Sequence, residues 1–341
     1  MKHPKVYIII LNYNSWSDTI ECLESVLKND YPDYQILLVD NNSTDNSLDC
    51  LKKWLNGHFN LQVNQNNPLK DLSNPPAVKP ISYIYYLKEV AERGGDLELE
   101  SKNNYQIIII QTECNLGYAG GNNVGIRYAL AKNDFEYIWI LNNDTVINSE
   151  TLSNIVNSAI DDKYDRPIGS YVYEYRDPEK LQMYGGLRFY KYFVLRPFFA
   201  KLKEDIDFIS GVSLFLSKKK IKELGLIEEK YFLNFEDLDY TYFYKEAFSN
   251  KYTDVTPFLI AGKIWHKHSV SQSKDKFLHS YYFTRSTLYT SRKINRINYF
   301  LTFTYAIFRG IFYFLLGYRD NSKGIFLGIK DFMNKRTGRL T

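Results

Sequence analysis

Apolar and polar positions come in alternating blocks along the first half of the chain. The run "VYIIIL", Val6 to Leu11, has no polar interruption, the pattern of a strand buried on both faces. "SWSDTIECLESVLKND" follows, with apolar residues at helical spacing behind a Ser/Asp start signal. "YQILLVD" predicts a second buried strand, and "STDNSLDCLKKWL" a second helix capped by Ser43 or Thr44. The rhythm breaks from about Phe59 to Tyr105, where Asn, Pro and charged residues predict an insertion on the rim with one short helix. It resumes with "QIIIIQ", the helix "NNVGIRYALAKN" and the strand "FEYIWIL". Strands alternating with helices predict an α/β fold with a parallel sheet.

Composition narrows the class. The chain has 341 residues, of which 45% are hydrophobic, enough for one large domain or a domain with an appendage. With 43 Lys and Arg against 39 Asp and Glu the net charge is +4, so no global basic field points to nucleic acid. Cys22, Cys50 and Cys114 lie far apart with no CxxC pair, which speaks against a zinc module or a disulfide framework and for a reducing, cytoplasmic setting. The first residues lack a secretory apolar region and cleavage site and read as a strand.

Ligands of open α/β sheets gather at the carboxyl ends of the strands. Here the exits carry Asn12, Tyr13 and Asn14; Asp40, Asn41 and Asn42; the Gly/Asn segment 115–125; and Asn142, Asn143 and Asp144. Asn and Asp favour turns anyway, which explains any single exit better than all four. "NLGYAGGNNVG" follows the wrong strand and has the wrong glycine spacing for a dinucleotide fingerprint, and no Walker A loop is present. A nucleotide gripped without a glycine loop needs its charge met otherwise. Mg²⁺ or Mn²⁺ held by Asp144 meets it, oxygen donors without thiolate suiting either ion.

The motifs "IIILNYNSW", "LLVDNNSTDNS", "NLGYAGGNNVGI", "LNNDT", "YFLNFEDLDYTYF" and "IWHKHSVS" occur in the order found in family 2 glycosyltransferases. The chain resembles their rhamnosyltransferase-like branch over residues 5 to 290, the insertion apart. The resemblance implies a GT-A fold: a mixed, mainly parallel sheet flanked by helices in residues 1–275, followed by a helical tail, 276–341. It also implies an inverting transferase that takes a sugar from a dTDP- or UDP-sugar to a saccharide or lipid-linked acceptor, in polysaccharide biosynthesis of the cell envelope. Tyr13 would then pack beside the nucleobase and Asp40 bond its edge. Asn115, Gly120 and Asn123 would line the nucleotide and phosphate, beside the exit residues Asn12, Asn14, Asn42 and Asn143. Segment 142–144 takes the place of the family's Asp-x-Asp, with Asn142 where the first acid stands.

Inverting transfer needs a carboxylate to take the acceptor's proton, and "NFEDLDY" offers Glu236, Asp237 and Asp239. The resemblance gives the base to Asp237, with Glu236 touching the acceptor or orienting the loop and Asp239 as structural member and second choice. Acids at a helix start also serve the dipole, and both roles can hold together. His266 matches a position near the metal, although a lone His is as often merely structural; His268 is expected to be exposed. Met183–Phe199 suggests an acceptor-side wall, but with 30 Tyr and 22 Phe in the chain its individual aromatics carry little signal. Two rivals remain: a nucleotidyltransferase, which would have a Gly-rich basic first loop, and an inactive nucleotide-sugar or glycan binder, to which Asn142 lends weight.

Residues 298–317 are nearly continuous in apolar and aromatic side chains, with Arg309 in the middle and basic residues on both sides. Two readings stand level: a helix lying at the inner face of the cell membrane, or one packed on the domain or on a homodimer partner.

Overall fold

The computed structural model describes residues 3–64, 66–267 and 275–340. Its N-terminal half is built from β1 (Val6–Asn12), α1 (Trp16–Val26), β2 (Tyr34–Asp40) and α2 (Ser47–Leu55). Next come α3 (Lys70–Ser73), β3 (Tyr83–Leu87), α4 (Lys88–Ala91), α5 (Leu97–Lys102) and β4 (Ile107–Gln111). Then follow α6 (Gly117–Lys132), β5 (Tyr137–Asn142), β6 (Thr145–Ile147), α7 (Thr151–Asp161) and β7 (Ile168–Glu174). Short strands β8 (Leu181–Met183), β9 (Gly186–Arg188), β10 (Phe198–Phe199) and β11 (Phe208–Ile209) lead to β12 (Ser213–Ser217). The chain continues through α8 (Lys218–Leu224), α9 (Glu236–Lys251), β13 (Leu259–His266) and a tail of α10 (Lys276–Ile294), α11 (Arg296–Leu315) and α12 (Arg319–Met333).

The main sheet has the order β3-β4-β2-β1-β5-β12-β7-β13-β6, with β8 on β7. Strands β3, β4, β2, β1 and β5 are mutually parallel, while β12 runs antiparallel between β5 and β7. This is the mixed, mainly parallel sheet expected. Period-two geometry splits each apolar run between two cores. Ile8, Ile10, Ile36 and Leu38 pack under α1, α2 and α7, whereas Tyr7, Ile9, Leu37 and Val39 pack under α6 and α9. Each such fully buried side chain contributes roughly 1.5–3 kcal/mol, so this double layer is the rigid floor on which the exits stand.

The structure departs from the expected insertion. Residues 83–87 are not on the rim but form the edge strand β3, paired in register with β4 (Ile84 opposite Ile108, Tyr86 opposite Ile110). "YIYYL" alternates buried and half-buried positions, a signal masked by the Pro-rich and charged stretches around it. The segment before it is pinned to α1: the buried Glu24 carboxylate accepts from the indole of Trp54, from the Ala77 backbone (2.6 Å) and from Lys79 (2.8 Å).

The seam expected at residue 275 is bridged by α10. The fully buried Arg285 donates to the Tyr231 carbonyl, and Ser286 to those of Tyr231 and Leu233. Lys293 forms a two-pronged pair with the buried Asp239 at 2.6 and 2.7 Å. α12 rides close on α10 because Gly324 and Gly328 present no side chain to the Phe277 and Tyr281 carbonyls.

Candidate active site

Because β4, β2, β1 and β5 are parallel neighbours, their carboxyl ends form one edge, and side-chain amides stitch them together. Asp40 is fully buried; its carboxylate accepts from Asn12 Nδ2 (2.8 Å), from Ser43 Oγ (2.6 Å) and from the Ser43 N–H (3.1 Å). Asn12 Oδ1 accepts from Thr19 (2.8 Å), whose hydroxyl in turn accepts from Asn143 Nδ2 (2.8 Å). One chain of bonds thus runs from the exit of β2 through β1 to β5. Its neighbour Asn41 links β2 to the exit of β4, donating to Asn115 and Gly117 and accepting from the Leu116 N–H.

Several residues named from the sequence have structural work here. Asp40, assigned by resemblance to a base edge, spends both oxygens on Asn12 and Ser43 and ties two exits together. Asn123 is also fully buried, donating to the Ile227 carbonyl and Glu229 and accepting from the Ile227 N–H, so it braces α6 and does not open on the rim. Gly120 lets Leu116 approach α6. Asn14 and Asn42 both take left-handed backbone, φ +52° and +56°. Asn14 accepts from the Thr44 and Asp45 N–H groups, and Asn42 donates to the Glu113 carbonyl. Tyr13 is half-buried beside them.

Asp144 and His266 meet through strand register. β6 and β13 run antiparallel with Thr145 opposite His266, and the Lys267 N–H donates to the Asp144 carbonyl (2.9 Å). His266 Nε2 lies 3.3 Å from Asp144 Oδ1, and its Nδ1 lies 3.1 Å from Gln182 Oε1 on β8. An Nδ1–H donated to that amide oxygen turns the Nε2 lone pair toward the carboxylate. Two acceptors so placed need a proton or a cation between them, and a His whose other nitrogen is held by an oxygen is the usual metal-ligating arrangement. Among the described residues no three His, Cys, Asp or Glu side chains converge as a metal cage. Two protein donors fit Mg²⁺ or Mn²⁺ nonetheless, since such ions complete their shells with phosphates and water. Asn142, whose backbone N–H donates to the Val212 carbonyl, ends β5 at the same turn. His268 lies outside the described residues.

Lys267, next along, adds positive charge. Burial works against its ammonium, but Glu21 (2.6 Å) and Asp18 (2.8 Å) outweigh burial and keep it above the usual lysine value.

Glu236 and Asp237 open α9 after a strained approach: Phe232, Asn234 and Phe235 all have positive φ, 65°, 68° and 70°. Non-glycine residues there cost roughly 1–3 kcal/mol each, and such strain persists only where neighbours impose it. The neighbours are α10, through Ser286, and α6, whose Tyr118 N–H donates to the Phe232 carbonyl (2.9 Å). Asp237, half-buried, accepts from the Gly211 N–H (3.0 Å) and its own helix's Leu238 N–H (2.8 Å). Burial raises its carboxyl above the ordinary range despite these bonds. Glu236 is buried more deeply, its Oε2 makes no hydrogen bond, and desolvation followed by the charge of Asp237 pushes it up to about 8. Both carboxyls are thus raised by burial, and of the two Asp237, with two N–H donors on its oxygens, is the better furnished to carry the negative charge. Asp239 faces away, into its pair with Lys293.

Tyr118 joins the two halves. Its hydroxyl donates to the Gly211 carbonyl (2.5 Å), the residue whose N–H holds Asp237. Burial, then the charges of Asp237, Glu236 and Asp144, hold its phenol well above the usual value, so one side chain feels all three carboxyls. Neither Tyr118 nor Gln182 stands out in the sequence; Asn41 is one of the strand-exit residues.

The mixed, mainly parallel sheet with its flanking helices is the fold of GT-A glycosyltransferases. The chain belongs to glycosyl transferase family 2, whose model matches residues 7–68 and 89–225, the break spanning β3. It is 28% identical over 137 residues to the low-salt glycan biosynthesis hexosyltransferase Agl10 of Haloferax volcanii, covering 38% of this chain and 43% of that protein, less than half its length. Among solved structures it is similar to the mannosyltransferase PcManGT of Pyrobaculum calidifontis in complex with GDP-Man and Mn²⁺ (TM-score 0.50, 11% identity, 98% of this chain and 88% of that one). It is also similar to S. aureus TarS (TM-score 0.44, 14% identity, 91% and 43%). At such identity the PcManGT likeness shows the fold alone.

Proposed function

We propose that the chain transfers a hexosyl group, with inversion, from a nucleotide-diphosphate sugar to a hydroxyl of a saccharide or lipid-linked acceptor. The observation that carries this reading is the pair of carboxylates at the strand-exit edge, Asp144 beside His266 and Asp237 held by two N–H groups, with Tyr118 close enough to both to feel their charge. Asp237 takes the acceptor's proton as that oxygen bonds to the anomeric carbon and the bond to the diphosphate breaks on the opposite face. Held by the Gly211 and Leu238 N–H groups, Asp237 is aimed before substrate arrives. The neutral Glu236 donates a hydrogen bond toward the acceptor without adding a second negative charge. Asp144 and His266 would hold Mg²⁺ or Mn²⁺, which supplies charge neutralisation to the departing diphosphate. The ligands named for PcManGT, GDP-Man and Mn²⁺, support a nucleotide-sugar donor with a divalent ion, and the name of the Haloferax relative supports hexosyl transfer in glycan assembly.

The test uses the full chain with UDP-, dTDP- and GDP-sugars. Thermal stabilisation in the presence of Mn²⁺ identifies the donor, because a ligand bound to the folded state raises its apparent stability. Donor hydrolysis is then compared with and without Mn²⁺ in wild type and Asp237→Asn. Metal-dependent turnover, lost in the variant while stabilisation remains, is the expected result; turnover untouched by Asp237→Asn overturns the reading.

A further inference from the structure

Helix α11 is packed inside out. The face it turns to the protein is small or polar: Asn298, Thr302, Ala306 and Gly310, one residue per turn, are all buried. Its bulky side chains point away, with Phe300 68%, Phe308 66%, Phe312 57% and Leu315 76% exposed. A helix matched to water on its outer side has the opposite arrangement. Arg309, the only charged residue between Ile297 and Tyr318, turns inward, where its guanidinium donates to Thr284 (2.9 Å) and lies over the Phe283 ring. The outer face therefore carries no charge along the helix.

The β9–β10 connection is fastened to the same helix. Asn298 Nδ2 donates to the Phe193 carbonyl (2.6 Å) and Thr302 accepts from the Leu195 N–H (2.9 Å), fixing beside α11 a loop whose Tyr190, Tyr192 and Phe193 are exposed. An apolar surface built from two elements, both held by hydrogen bonds, is larger than scattered exposed residues account for. Basic groups stand at both ends: Arg292 before the helix and Arg296 at its first position, Arg319, Lys323 and Lys330 after it, all exposed, against the single acid Asp320. Lys293 and Arg336 are engaged by Asp239 and Asp331 and are left out of this balance.

We propose that α11 and the 190–195 loop form a surface that lies in the headgroup region of an anionic bilayer. No helix among the described residues is long and apolar enough to cross a membrane, and this one is fastened along its length to the protein. An uncharged aromatic face with basic ends is matched to an interface where rings insert and cations meet lipid phosphates. A second copy fits less well, since parallel or antiparallel pairing of two α11 helices brings basic ends together. The surface also adjoins the base: β9 pairs with β11, and β11 leads to Gly211, whose N–H holds Asp237. On the transfer reading above, on which this last step alone rests, the acceptor is anchored in the leaflet and offers its sugar to Asp237.

The experiment is flotation of the full chain with vesicles of phosphatidylcholine alone or mixed with phosphatidylglycerol, alongside light scattering of the free protein. Wild type is expected to rise with the anionic vesicles, and the combined Phe300→Ser, Phe308→Ser, Phe312→Ser variant to stay behind. Each of Arg296→Gln, Arg319→Gln and Lys323→Gln weakens anionic binding by about fivefold. The substituted side chains are exposed, and donor-induced thermal stabilisation checks that the variants fold. Wild type that floats with neither vesicle, a serine variant that floats like wild type, or a dimer that the serine variant breaks into monomers overturns the proposal. Flotation without donor hydrolysis sinks the transfer reading and leaves the surface standing; hydrolysis without flotation does the reverse.

Discussion

His266 Nε2 faces Asp144 Oδ1 at 3.3 Å because β13 lies antiparallel to β6, while Gln182 on β8 fixes the other ring nitrogen. Three strands distant in sequence thus build one carboxylate–imidazole pair. Removing a group that orients a metal-bound His typically costs 10–100-fold in affinity, so Gln182→Ala should raise the Mn²⁺ concentration for half-maximal donor hydrolysis by about that factor. Saturating Mn²⁺ should restore its turnover, whereas Asp144→Asn should remain impaired. An unchanged Mn²⁺ titration for Gln182→Ala would remove that residue from the site.

Asp237 and Asp239 are two positions apart yet differ in kind. Asp237→Asn should lower transfer by roughly 10²–10⁴-fold with little change in stability. Asp239→Asn should spare turnover per folded molecule, since Lys293 is partly exposed and recovers water. The reverse deletion, Lys293→Met, leaves the buried Asp239 without its counter-charge and should cost about 1–2 kcal/mol, less than a fully buried pair because Lys293 is partly exposed. Denaturant melts of the three variants beside rates distinguish these roles; equal losses of activity at Asp237 and Asp239 would argue against the assignment.

Glu236 should make stability fall with rising pH. Its carboxyl titrates near 4.5 in the unfolded chain but at about 8 in the folded one, so between those values the native state holds a proton that the unfolded state has released. Stability from this group is complete below about pH 4.5, declines through the window and levels off above about pH 8. Glu236→Gln removes that dependence, and its melting temperature relative to wild type should climb across the window. A difference that stays constant with pH would show that Glu236 is not held protonated.

Gly117 has φ +73°, and a Cβ there would press into the Phe232 carbonyl oxygen. Gly117→Ala should therefore destabilise by about 1–3 kcal/mol and, because that carbonyl belongs to the strained approach to α9, lower turnover as well. Melting curves and rates measured together test both halves; a stable, fully active variant would mean that the loop yields freely.

The apolar runs announced β1, β2, β4 and β5, because strands buried on both faces need uninterrupted hydrophobicity. β3 escaped because five residues, three of them Tyr, between prolines and charges do not look like a core strand. Motif order led to the family, but the duties of single residues were less legible. Asp40 and Asn123 carry motif identities yet are consumed by internal bonds, which depend on how Ser43 and Ile227 fold back. Gln182 and Tyr118 matter through register and helix placement, and neither leaves a trace in local sequence.

The grip of Ser286 and Arg285 on the carbonyls of Tyr231 and Leu233 bears on how this polypeptide can be shortened. Cutting it at residue 275 to obtain a minimal soluble enzyme would withdraw the brace from the bend that aims Asp237 and strand Asp239 without its counter-charge. On the transfer reading proposed above, the C-terminal helices scaffold chemistry performed elsewhere, and an active fragment would extend at least through Lys293.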